Sequence, residues 1–188
     1  YKVKAALSPD QILFFKELNN FFDLIIPKWF EHYEKIQSAL FLFLSTLKEK
    51  TSFNSEKFLS IIKAIETFHI NIYDEKENQN GKLAEKFERI INEVQLPKDK
   101  KYLKDLLYER LRPTLKERLN DFINTYNNEY IQDKIQDTND FKNKSSDSRN
   151  YYTHLDPNMK EKALKGKELY DLYIRLIALY LSVLYSYL

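Results

Sequence analysis

The chain has 188 residues, of which 43% are hydrophobic and 15% aromatic, and its 30 basic and 28 acidic residues leave a formal net charge of +2. That apolar content suffices for a packed core and excludes wholesale disorder, and near-neutrality leaves nucleic-acid binding only to a local basic face. The lack of cysteine excludes disulfides and thiolate metal sites and fits a cytoplasmic protein, and three histidines, His32, His69 and His154, argue against a structural zinc site on one chain. Glycine occurs only at Gly81 and Gly166, too rarely for the hairpins and bulges of a sheet protein, so an all-α fold is expected. The first residue is Tyr1, which predicts a chain cut from something longer.

In chain order, Tyr1–Leu7 reads as a linker or remnant strand. Ser8 is an N-cap candidate with Pro9 as first helical residue and Gln11 as capping-box partner, opening a helix to about Ile26. Pro27 is expected to break it. A long helix follows, with Trp29, Phe30, Tyr33, Ile36, Leu40, Phe43, Leu44 and Leu47 at helical spacing. After a polar break at Thr51–Ser55, Asn54 or Ser55 caps a helix to about Tyr73, buried through Phe58, Ile61, Ile62, Ile65 and Phe68. Asp74–Gly81 is a loop. Helices are expected over Lys82–Val94, stopped by Pro97, then Asp99–Arg110, then from a first-turn Pro113 to about Tyr126. Asn127–Ser148 is polar and poor in aliphatics and reads largely as surface or loop. The final helix, from about Met159 to the end, is nearly all apolar after Leu169, which predicts burial in a core or an interface. Neither apolar stretch, Ala39–Leu44 nor Ile177–Leu188, reaches the roughly 20 residues of a membrane span.

The chemistry concentrates in Arg149-Asn150-Tyr151-Tyr152-Thr153-His154-Leu155-Asp156-Pro157. Pro157 disfavours a helical Asp156, so the helix carrying these residues should end there. At about 100° per residue, Lys142, Arg149, Thr153, Ser146, Asn150, His154 and Asp147 share one face, and Phe141, Ser148, Tyr152 and Leu155 form a buried stripe opposite. Arg, Asn and His presented together suit RNA cleavage. The imidazole titrates near neutrality and can take or give a proton. The guanidinium offers a permanent positive fork to phosphoryl oxygens. Asn can orient the ring. No metal or cofactor is needed. One His per chain leaves acid and base incomplete, and a two-fold dimer would bring two sets to one groove, with the apolar last helix as pairing surface.

Arg-x4-His with Asn directly after Arg resembles the signature of HEPN ribonucleases. The string Ser148–Pro157, followed by Lys162–Leu169, and Pro113–Leu119 upstream, resembles the ApeA-type HEPN group in particular. The resemblance is best over 112–188 of what is expected to be one α-helical domain spanning 1–188, a HEPN-type bundle with a few additional N-terminal helices. It implies homodimerisation, metal-independent endoribonuclease activity in antiphage defence or abortive infection, and a regulatory N-terminal domain on the longer protein. Carried over by position, Arg149 and His154 are the catalytic pair and Asn150 their polar companion.

Lys142 and Thr153 are expected RNA contacts, with tRNA among the candidate substrates and no membrane partner. A solvated Lys142 is the plain alternative. Tyr152 lies on the apolar stripe and reads as core. His32 and His69 read as packing or surface residues, and Lys160–Lys167 as a solvated face. Two other functions remain open: a non-catalytic HEPN module that binds RNA, nucleotide or a partner protein, and an unrelated helical dimerisation or interaction domain.

Overall fold

A computed structural model describes residues 15–48, 53–73, 81–109 and 112–188. The readings of Tyr1–Leu7, Ser8, Pro9, Gln11, Thr51, Ser52, Asp74–Asn80 and Arg110 lie outside these residues. Among the described residues the only regular elements are helices: α1 (Phe15–Lys48), α2 (Ser55–Ile72), α3 (Gly81–Glu93), α4 (Pro97–Glu109), α5 (Leu115–Thr125), α6 (Glu129–Lys134), α7 (Thr138–His154), a 3-10 turn at Pro157–Met159, and α8 (Gly166–Tyr187).

The core forms where α2 meets α1, α5, α7 and α8, while α6 rests on α8 and α3 pairs chiefly with α4. The stripe expected on α2, Phe58, Ile61, Ile62, Ile65 and Phe68, is fully buried. It meets Ile36, Ala39 and Phe43 of α1, Leu119 and Phe122 of α5, Phe141 of α7, and Leu172, Leu176 and Tyr180 of α8. Aromatic pairs tie the layers, with Phe43 stacked on Tyr180 at 4.8 Å and Phe68 against Phe122 at 5.9 Å. Of the α1 residues at helical spacing, Ile36 and Phe43 are buried while Phe30, Tyr33, Leu44 and Leu47 stay exposed. His32 is half-buried with its ring 4.8 Å from Tyr187.

Five expectations about where the helices run are corrected. First, α1 runs unbroken through Pro27. Pro27 and Asp23 are both exposed, so the Asp23 carbonyl deprived of its helical donor can turn to water. Second, Pro97 opens α4 as a first-turn proline rather than only stopping α3. Third, Pro113 stands two residues before the start of α5. Thr114 is the N-cap there, closing a capping box with Glu117. Fourth, Asn127–Ser148 is mostly helix. Asn128 caps α6 through the Ile131 amide, and Asp137 caps α7 through the Asp140 amide. Fifth, α8 begins at Gly166, not near Met159. Gly166 has φ +52°, a left-handed conformation open to glycine.

The 22 residues of α8 also make it long and apolar enough to cross a membrane by length and composition, contrary to the expected shortfall. Over half of its apolar window, 56%, is buried inside the bundle. Tyr170, Ile174 and Tyr185 remain exposed along its outer side.

Candidate active site

The residues singled out above lie on α7, so the site depends on what fixes that helix. Phe141, Ser145 and Ser148 are its buried residues, at four- and three-residue spacing. Serines at two of these positions keep the stripe narrow. The Ser145 hydroxyl returns its proton to the Phe141 carbonyl at 2.7 Å. The Ser148 hydroxyl oxygen accepts the Leu164 amide at 3.0 Å. Tyr152 donates its hydroxyl to the Leu164 carbonyl at 3.0 Å and sets its ring edge against Phe58. Burial, and then the adjacent Tyr151 phenol, push the Tyr152 hydroxyl above its usual titration range and keep it a donor.

Leu155 does not complete the stripe. Its φ of +51° ends α7 in a left-handed cap, so its side chain leaves the helical register and is 68% exposed. His154 is therefore the last helical residue.

Arg149 and Asn150 are brought together: a guanidinium Nη1–H donates to the Asn150 Oδ1 at 3.1 Å. The other terminal nitrogen, Nη2, donates to Glu66 Oε1 on α2 at 3.3 Å. Both side chains are part-buried, 34% and 24% exposed. Thr153 and His154 follow on the exposed last turn. Among the described residues no hydrogen bond or ion pair engages the His154 imidazole. Lys142 is half-buried and donates to Asn120 Oδ1 of α5 at 2.8 Å, and Lys116 of α5 donates to Asn143 Oδ1 at 2.7 Å, pinning the two helices side by side. The Lys142 ammonium has three N–H groups, so this contact does not exhaust it.

Glu66 escaped the sequence reading because it lies 83 residues before Arg149. Its one signal is an acid set between the core residues Ile65 and Phe68. One turn later, His69 is fully buried. Arg118 Nη1 donates to its Nδ1 at 3.0 Å, and its Nε2–H donates to Asp121 Oδ2 at 2.9 Å. Because Arg only donates, Nδ1 must be the acceptor, and the tautomer is set. His69 is thus a core residue that locks α2 to α5.

Among the described residues no group of three or more His, Cys, Asp or Glu side chains could hold a metal ion. The arrangement offers a fixed cationic fork, an amide beside it and an accessible imidazole one turn on.

A family model described as Apea-like HEPN matches residues 59–188, while no curated protein and no solved structure matches the chain. The matched span begins within α2, well before the string that suggested the resemblance. It takes in Glu66, all of α7 and all of α8. The match covers well over half of the chain, and its helical architecture is that of a HEPN domain: the chain belongs to the Apea-like HEPN family.

Proposed function

We propose that this protein is a metal-independent endoribonuclease acting in antiphage defence in the cytoplasm. The observation that carries the reading is the grouping on α7 of an oriented Arg149, its partner Asn150 and an accessible His154. In this reaction the ribose 2′-hydroxyl attacks the adjacent phosphorus and the bond to the 5′-oxygen breaks. A 2′,3′-cyclic phosphate and a 5′-hydroxyl result. One proton leaves the 2′-oxygen and one arrives on the 5′-oxygen. His154 serves one of these transfers, and Arg149 neutralises charge on the phosphoryl oxygens in the transition state. Asn150 holds the fork on one side. Lys142 and Thr153 extend the RNA contact along the helix.

The second proton transfer is assigned to a second copy of the chain. Two observations favour a homodimer: the His154 imidazole lacks a hydrogen-bonding partner among the described residues of its own chain, and the outer side of α8 leaves Tyr170, Ile174 and Tyr185 exposed.

The test is cleavage of total RNA, including tRNA, in excess EDTA, with His154→Ala alongside. The wild type is expected to leave 2′,3′-cyclic phosphate ends, and the variant to be slower by roughly 10²–10⁴-fold with unchanged melting, because His154 is exposed. Retained cleavage by a clean His154→Ala preparation would falsify the assignment.

A further inference from the structure

We infer that Glu66 is a positioning residue for Arg149, one that raises the rate of RNA cleavage while weakening the binding of RNA before reaction; the inference rests on the ribonuclease reading above.

Glu66 meets Arg149 through one carboxylate oxygen and one terminal nitrogen. A guanidinium carries five N–H donors. Asn150 takes one on Nη1 and Glu66 one on Nη2, so each terminal nitrogen keeps an N–H for a phosphoryl oxygen. The long Arg side chain has much rotamer freedom, and contacts from two helices restrict it to one orientation. The α2 end of the contact is rigid. Ile65 and Phe68, on either side of Glu66, are fully buried, and His69, one turn on, is held by Arg118 and Asp121.

Stability alone does not account for the pair. A part-buried ion pair held through one nitrogen and one oxygen contributes only modestly to folding. A carboxylate beside the fork also repels an approaching phosphate. That is a cost in ground-state binding, and it is offset only if a fixed fork matters more once charge builds on the phosphoryl oxygens.

This gives a signature that a purely structural residue lacks. Glu66→Gln keeps the shape and removes the charge. Single-turnover cleavage at saturating RNA should fall about 10- to 100-fold. The Kd for a 2′-O-methyl RNA, which cannot be cleaved, should tighten several-fold. Melting should be unchanged. Glu66→Asp, which keeps the carboxylate, should recover part of the rate without recovering the weaker binding in full. Wild-type cleavage abolished by His154→Ala establishes the underlying reading first, and Glu66→Gln then decides the inference alone. An unchanged rate in Glu66→Gln overturns it, as does loss of rate and binding together with a fall in melting temperature. An inactive wild type overturns the ribonuclease reading and this role with it.

Discussion

The Leu164 amide donates to the Ser148 hydroxyl oxygen at 3.0 Å, and the Leu164 carbonyl accepts from Tyr152 at 3.0 Å. Both polar groups of one peptide residue are thus satisfied by the buried side of α7. This contact ties the helix that carries Arg149 and His154 to the segment that leads into α8. Ser148 is fully buried, so Ser148→Ala strands an amide away from water. The expected loss is about 1–2 kcal/mol, read as a lower urea midpoint. Tyr152→Phe should cost about 1 kcal/mol. Because the two act on the same residue, the double variant should lose measurably less or more than the sum. Additive losses would show that Leu164 is held by something else.

Leu155 sits in the left-handed region at φ +51° directly after His154. A non-glycine residue there costs about 1–2 kcal/mol, and its exposed side chain regains nothing by packing. Glycine removes that strain but gives back roughly 0.5–1 kcal/mol through the extra freedom of the unfolded chain. Leu155→Gly should therefore gain about 0.5 kcal/mol in urea unfolding. Cleavage should persist, since the cap geometry that places His154 at the end of α7 is kept. A lower urea midpoint would mean that Leu155 makes a contact outside its own chain, such as across a dimer.

The all-α class and the α2 stripe were legible in the sequence because burial there follows a simple 3.6-residue period in large apolar side chains. Phe58, Ile61, Ile62, Ile65 and Phe68 leave little room for another reading. The end of the motif helix was legible to within two residues, from the backbone restriction that Pro157 imposes on Asp156, while the left-handed cap at Leu155 that ends it at His154 left no local signal. Asn127–Ser148 misled because α7 buries serines. Ser145 and Ser148 count as polar in any composition, yet their hydroxyls are spent on the Phe141 carbonyl and the Leu164 amide. Arg149, Asn150 and His154 could be named from local spacing. Glu66 could not, since no local pattern links residues 83 positions apart.

Tyr126 makes alkaline stability a readable quantity. Burial, followed by the neighbouring Tyr73 and Tyr187 phenols, pushes its hydroxyl up to about 12. Tyr180 and Tyr187 shift in the same direction, chiefly through burial. A raised tyrosine favours the protonated folded state. The unfolded chain gives up these protons near the ordinary value of about 10, before the folded chain does. Stability is therefore complete below pH ~10 and declines as pH rises toward 12. Urea midpoints measured across that window should fall with rising pH. Tyr126→Phe should shallow the fall, because one of the phenols released on unfolding is gone. A wild-type midpoint that stays level from pH 9 to 12, or a Tyr126→Phe curve as steep as the wild type, would show that Tyr126 ionises in the folded protein as freely as in the unfolded chain.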